Sequence, residues 1–401
     1  MPIRKPEAKM LLSIRFRFSA KAAFLFFFIC QNMAMASGQT LLPVDFSDLP
    51  VLQDDFDRSS LLQAAYRQRV SLQKLSPETQ ISIGQGSYNP NQLIASINEF
   101  VQIIEKAETG HDTAKALKEK FSAYQAAGGK SADAYGKMLV TGYFEPTFEG
   151  SLHRQPPFLF PLYVQPSDLK SEKFANSGKV ITGRISKGKL IPYWTRAEIE
   201  TRNILSGSEL VFLKDPFEVF LLHVQGSGKI RLRDGTLKSV GYVASNGHPY
   251  RSIGKLLIDE KRMSTAEANL PAIEGYLRDN PEDMTRVLHS NPRYIFFQWS
   301  ESAGPRGNSN IQLTAGRSIA IDHQALPSGT FAFLCSRMPV FDHKGILTGW
   351  RPIHRFVFPQ DAGAAIQGAG RVDLFLGDSE GARRSAGLMK EEGSLYFFVK
   401  N

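Results

Sequence analysis

Apolar positions recur along this chain at two different periods, and the change between them divides it. Asn89-Pro90-Asn91 opens a stretch in which Leu93, Ile94, Ile97, Val101 and Ile104 return at helical spacing. The pattern predicts one helix ending near Gly110 and a second from Asp112 to Gly128, with Leu117, Phe121 and Tyr124 facing inward. Residues 37–88 show little sustained period and predict a loosely wrapped segment. After Lys130 the texture turns to short apolar runs broken by Gly and Pro, at 137–143, 157–163, 211–213, 218–225 and 228–234, all read as strands. A helical interruption follows from Tyr250, with a capping box at Ser264-Thr-Ala-Glu267 and two amphipathic segments reaching His289. Asn291-Pro292 breaks that pattern, and strands resume at 294–297, 329–334, 356–358 and 394–399. Helices do not alternate with strands, so the expected class is mainly β with accessory helices, a barrel or sandwich and not a parallel α/β sheet. No internal repeat or low-complexity linker is present, which points to one domain inserted into another.

The first 36 residues stand apart. Arg4, Lys5, Lys9, Arg15, Arg17 and Lys21 precede the apolar run Ala22–Cys30, and Ala34-Met35-Ala36 follows as a small-residue site. This is the three-part pattern of a secretory signal cleaved after Ala36, and the run is short for a transmembrane helix. Export places the mature chain in the periplasm. Cys30 raises the question of a lipid anchor, but Ile29 before it is not the small residue such processing prefers, so the expectation is release as a soluble protein, with outer-membrane association left open. Removal of the leader leaves Cys335 as the one cysteine, so no intramolecular disulfide is expected. The net charge of +9 falls to about +4, a mild bias towards an anionic partner such as a wall polymer. No dense basic stripe interleaved with aromatics argues for nucleic acid.

Candidate chemistry gathers late in the chain. Asp322 closes Arg317-Ser-Ile-Ala-Ile-Asp322, Asp361 closes Phe356-Val-Phe-Pro-Gln-Asp361 before Ala-Gly363, and Asp373 lies in Gly370-Arg-Val-Asp373-Leu-Phe-Leu-Gly377. A carboxylate at the end of an apolar strand is partly desolvated, which raises its pKa and suits it to acid catalysis on an ether-like oxygen. Each aspartate alone also reads as turn chemistry; three together read as a site assembled from strand ends.

Three further segments concentrate Gly, polar and aromatic residues: Thr141-Gly142-Tyr143-Phe144-Glu145-Pro146, Val224-Gln225-Gly226-Ser227-Gly228 and Asn246-Gly247-His248-Pro249-Tyr250-Arg251 running on to Lys255. Together with the aspartates they resemble the membrane-bound lytic murein transglycosylase A family, with its C-terminal three-aspartate domain, over roughly Lys137 to Val399. The resemblance implies a double-psi β-barrel built from 37–146 and 300–401, a smaller β-domain inserted at 147–299 and a groove between them.

It further implies a lyase that cleaves the β-1,4 bond between N-acetylmuramic acid and N-acetylglucosamine without water, forming a 1,6-anhydro ring. The family's catalytic aspartate falls on Asp373, acting as acid and then as base. Asp361 is expected beside it as a second catalytic carboxylate or a turn cap. Thr141, Tyr143, Gln225 and Ser227 are expected to bind glycan, the glycines around Ser227 giving it access to the backbone. Arg251 and Lys255 could meet carboxylates of the polymer. Asp322 either completes the substrate site or fixes the barrel through backbone N–H groups. His248 has no second ligand at metal spacing, and neither a metal nor any cofactor is expected. The implied partners are peptidoglycan glycan strands, with wall-synthesis or hydrolysis proteins as further candidates, and the chain is expected to be a monomer. The alternatives are a wall-binding module without turnover, a water-using muramidase and an aspartic peptidase. The last is disfavoured because no paired Asp-Thr/Ser-Gly occurs.

Overall fold

The computed structural model describes residues 39–129, 135–173, 180–301 and 304–401. The expected leader, its cleavage site and Cys30 lie outside them. Among the described residues no helix is long and apolar enough to cross a membrane.

The chain begins with β1 (Leu41–Val44), α1 (Arg58–Gln73), the hairpin β2 (Ile81–Ile83) and β3 (Gly86–Tyr88), α2 (Pro90–Lys106), α3 (Gly110–Lys120), β4 (Phe121–Ala126) and β5 (Met138–Tyr143). Asn89 and Gln92 form a reciprocal capping box at the start of α2, with Pro90 in its first turn, where a missing N–H costs nothing. A second run follows: β6 (Thr147–Ser151), β7 (Phe160–Tyr163), β8 (Lys170–Lys173), β9 (Val180–Ser186), β10 (Lys189–Pro192), α4 (Arg196–Arg202), β11 (Glu209–Leu213), α5 (Pro216–Gln225), β12 (Ser227–Leu232), β13 (Leu237–Ser245), α6 (Ile253–Asp259), α7 (Leu270–Asp279), α8 (Pro281–His289) and β14 (Ile295–Ser300). The last is β15 (Ser318–Ala320), β16 (Phe331–Phe341), β17 (Leu347–Asp361), β18 (Arg371–Phe375), α9 (Glu380–Leu388) and β19 (Lys390–Lys400).

Six strands close on themselves in the order β19-β16-β17-β15-β18-β5, with β5 pairing back to β19. Two contacts in this ring are parallel, β15 with β17 and β5 with β18, and the rest antiparallel. This is the barrel the resemblance implied. β4 and β1 continue the sheet from β19. Helices α1–α3 cover this sheet. Phe100 of α2 stacks on Phe331 with centroids 3.9 Å apart, and Phe356, Phe358, Phe397 and Phe398 complete a buried aromatic centre. Closure leaves no free edge within the ring, so its strand ends are held at fixed spacing.

The middle run forms a six-stranded sheet, β14-β13-β12-β6-β11-β7, and a three-stranded one, β10-β9-β8. Its main core gathers Phe148, Val211, Leu222, Ile230 and Phe297, and Ala382 of α9 packs into it from the C-terminal part. We keep the division at 146/147 and 299/300 as a proposal, because the chain leaves the barrel after β5 and rejoins it at β15.

Four local expectations differ from the fold. Residues 218–225 belong to helix α5 and not to a strand: Asp215 caps it, Pro216 opens it and Gly226 closes it at φ +78°. Its residues are apolar on nearly every face, so no period separated helix from strand. The second helix stops at Lys120, and Phe121–Ala126 extend into β4 because β1 and β19 pair with them on either side. The supposedly loose segment holds the 16-residue helix α1, whose buried face includes Ala64, Ala65, Gln68 and Ser71 and so carries little apolar signal. The Ser264–Glu267 capping box forms, but around a turn; the helix starts at Leu270.

Candidate active site

Strand register brings the two late aspartates together. Ala320 of β15 lies opposite Asp373 of β18 on one side and Asp361 of β17 on the other, where a register shift ends the β15–β17 ladder. On the far side of β18, Thr141 pairs with Asp373 and Tyr143 with Phe375. Thr141, Tyr143 and Asp373 therefore project in one direction from neighbouring strands, by the two-residue period of the pleat.

The Asp373 carboxylate is engaged by three donors. The Thr141 hydroxyl donates to Oδ1, and the Arg371 guanidinium donates through Nε to Oδ1 at 3.1 Å and through Nη2 to Oδ2 at 3.4 Å. Arg371 Nη1 also donates to the Ala365 carbonyl at 3.0 Å, which fixes the fork. The Asp373 side chain keeps 16% exposure and opens to a cavity. Asp361 is deeper and fully occupied. Its Oδ1 accepts from Ala362 N at 2.8 Å and Asn308 N at 2.9 Å, and its Oδ2 accepts from the Tyr143 hydroxyl at 2.9 Å. Burial nevertheless outweighs those donors and raises its pKa from 3.8 to about 6. Tyr143 is itself held well above its ordinary value by burial and by the charges of Asp361 and Asp373.

Two adjoining cavities of about 450 and 690 Å³ meet at this point. Both are lined by Tyr143, His223, Gln225, Arg293 and Asp361; the first also reaches Thr141, Arg371 and Asp373, the second Glu145 and Ser227. One wall comes from the barrel strands, the other from α5, β12, β13 and the segment before β14.

Gln225 sits at the C-terminal end of α5, not at a strand end as expected, and its Oε1 accepts from Phe144 N at 3.3 Å. The glycines beside Ser227 have structural work. Gly226 takes the left-handed cap of α5, and a side chain on Gly228 would meet Leu222 and the Pro146 carbonyl. Gly226 and Ser227 also line the second cavity, so approach of a glycan to this backbone stands as an expectation. Asp322 accepts from Gly368 N at 2.7 Å and Gln324 N at 3.0 Å and lines neither cavity, so it braces the loop before β18 and does not join the cluster. Arg251 is exposed and lines neither cavity, and its neighbour Tyr250 lines the first instead. Lys255 Nζ is spent on Asp259 at 2.9 Å. The His248 ring contacts the Tyr193 carbonyl through Nε2 at 2.8 Å. Among the described residues no three His, Cys, Asp or Glu side chains are grouped to hold a metal.

Three residues of the cleft had no assigned role in the sequence. Arg371 precedes Asp373 by two positions in a strand, and that same-face spacing was a usable signal. Glu145 is 1% exposed, and neither of its oxygens has a hydrogen-bond partner. Burial raises it from 4.5 to about 7, while Lys229 Nζ, 3.6 Å away and also paired with Asp378, opposes the rise. Arg293 left no periodic or motif signal at all.

Comparison with known proteins assigns the class to which this fold belongs. Residues 139–298 match the MltA specific insert domain, and residues 317–399 match the 3D domain. The membrane-bound lytic murein transglycosylase A of Vibrio cholerae is 30% identical over 315 residues, 77% of this chain and 75% of that protein. A membrane-bound lytic murein transglycosylase from Agrobacterium tumefaciens superposes with a TM-score of 0.72 at 23% identity, covering 90% of this chain and 98% of that one. The E. coli MltA structure with bound chitohexaose gives 0.70 at 23% identity, covering 90% and 95%. The chain belongs to the membrane-bound lytic murein transglycosylase A family.

Proposed function

We propose that this chain is a lytic transglycosylase of the cell envelope that cleaves the β-1,4 bond between N-acetylmuramic acid and N-acetylglucosamine in peptidoglycan, leaving a 1,6-anhydro ring. The named activity of its relatives and the chitohexaose held by a structure of the same fold support a glycan in the cleft. The observation that carries the reading is the asymmetry of the two aspartates. Each accepts from three donors and each lines a cavity, but two of the donors to Asp361 are backbone N–H groups fixed by the fold, whereas those to Asp373 are all movable side chains. Hydrolytic glycosidases use two carboxylates at a set separation, one of them to activate water or to attack the sugar. Here one carboxylate whose donors can give way suffices if the substrate supplies its own nucleophile.

Asp373, protonated, gives its proton to the glycosidic oxygen as the C1–O bond breaks. The C6 hydroxyl oxygen of the muramic residue then bonds to C1, and its proton passes to the Asp373 carboxylate, which regenerates the acid with no net water consumed. The intramolecular attack gains from proximity. Thr141 and Arg371 hold the carboxylate in place, and Asp361 with Tyr143 sets the charge behind it.

The test is to incubate the protein and its Asp373→Asn variant with purified peptidoglycan and weigh the fragments by mass spectrometry. Products one water lighter than hydrolytic ones, lost in the variant, are expected; a positioned acid is worth about 10²- to 10⁴-fold. Hydrated products would replace this reading with a muramidase. No products from either protein would leave a binding module.

A further inference from the structure

The fully buried arginines among the described residues each carry a carboxylate, and the half-buried, desolvated Arg67 is met instead by Leu313 O, Thr314 Oγ1 and Gln312 Oε1; Arg293 at the cleft has neither arrangement. Arg196 is paired with Glu200 at 2.9 Å, Arg317 with Asp54 at 2.6 Å and Arg355 with Asp55 at 2.8 Å. Arg293 is half-buried, enough for desolvation to lower its pKa, yet among the described residues no Asp or Glu lies within ion-pair distance of it. Among the described residues its guanidinium makes one hydrogen bond, a donation from Nη1 to the His248 carbonyl at 3.2 Å. A guanidinium has five N–H donors in a rigid fork, and a charge withdrawn from water is ordinarily matched by an opposite one.

The segment bearing it is rigid. Asn291 Oδ1 accepts from Arg293 N at 3.2 Å, and the Asn246 side-chain amide donates to the carbonyls of Trp194 and Pro292 at 2.9 and 2.8 Å. The His248 ring is fixed in turn on the Tyr193 carbonyl. Arg293 lines both cavities, on the wall facing the barrel aspartates. The other cations of the cleft differ: Arg371 is paired with Asp373, and Arg306 and Lys390 are exposed, so water stabilises them.

We propose that Arg293 is a receptor for a carboxylate carried by the bound polymer, and so the residue that separates acidic wall glycan from a neutral chitin-type oligomer. This rests on the glycan reading given above. Each muramic residue bears a lactyl arm ending in a carboxyl group. In peptide-free glycan that carboxylate is free; in peptide-bearing glycan it is an amide, and the carboxylates sit further out on the peptide. Arg presents the planar fork that takes a carboxylate through two N–H groups, which a neutral sugar does not offer.

The test is a titration of the full chain in its Asp373→Asn form, with and without Arg293→Gln, by calorimetry. The ligands are chitohexaose, peptide-free glycan strands and peptide-bearing glycan strands. Arg293→Gln is expected to weaken peptide-free strands by about tenfold or more and to leave chitohexaose within about twofold. Arg293→Lys should restore part of the loss, and thermal melting of both variants checks that the fold persists. A loss confined to peptide-bearing strands would support the receptor and assign the carboxylate to the peptide. Equal weakening of chitohexaose and acidic strands, or no weakening of either acidic ligand, would overturn the proposal. Failure of every glycan to bind the Arg293-intact protein would instead bring down the glycan reading itself.

Discussion

The Tyr143 hydroxyl donates to Asp361 Oδ2 at 2.9 Å, joining the last residue of β5 to the last residue of β17. That bond is one of three favouring the ionised form of Asp361, against a burial that holds its pKa at about 6. Tyr143→Phe removes it and leaves the two backbone donors. The inflection that Asp361 contributes to the pH–rate profile should then move upward, by about half to one unit for a bond worth roughly 1 kcal/mol. Profiles of kcat/KM for both proteins check this. An unmoved inflection would mean that another group titrates there.

Thr141 touches Asp373 directly. Thr141→Val keeps the shape and removes the donor, so kcat should fall about 10- to 10³-fold with KM little changed, on the scale of losing one donor to a reacting oxygen. Thr141→Ser should retain most of the rate. Steady-state kinetics on glycan strands separate this from a binding role, which would appear in KM.

Asp322 is expected to act on stability and not on chemistry. Asp322→Ala leaves Gly368 N and Gln324 N without their acceptor, a loss of about 1–2 kcal/mol and a fall in Tm of several degrees. If the residue instead binds substrate, the melting temperature will stay put and KM will rise.

Glu145 makes stability depend on pH. Its carboxyl is raised from 4.5 to about 7, so the folded chain holds a proton that the unfolded chain releases between those values. A raised acid contributes stability fully present below about 4.5 and lost as pH rises through about 7. Glu145→Gln is neutral throughout and keeps Lys229 paired with Asp378. It should melt above wild type at pH 8 and close to it at pH 4.5. Parallel Tm curves across that range would show that folding leaves the Glu145 pKa unshifted.

The barrel strands were readable because each is a compact apolar run ended by Gly, Pro or Asp, and Asp361 and Asp373 stood out at such ends. Their meeting was not readable, because it depends on Ala320 lying between them in a sheet of mixed direction. Helix α5 is not legible as a helix because Val219, Phe220, Leu221 and Leu222 are all buried, which removes the contrast between faces that distinguishes a helix from a strand. Its caps, Asp215-Pro216 and Gly226, held the information that the apolar run lacked. Asp322 looked like the other two aspartates and differs from them by two backbone bonds that only the fold supplies. Arg293 gave no local sign, since what marks it is the missing acidic partner.

Tyr143 and Phe144 are neighbours in the chain, yet Tyr143 serves the carboxylate cluster while Phe144 belongs to the core of the inserted body. The matched C-terminal segment, 317–399, holds both aspartates but neither Thr141 nor Tyr143. Transplanting that segment alone would carry the acids without the strand that orients them. A graft that moved the barrel while discarding the insert would also strip Ala382 of its packing and reopen the junction at Phe144. Because β4, Phe100, Asp54 and Asp55 also complete the barrel from upstream, the smallest portable unit is β1 through β19, and an engineer seeking a new glycan specificity should alter the wall bearing Arg293 in place.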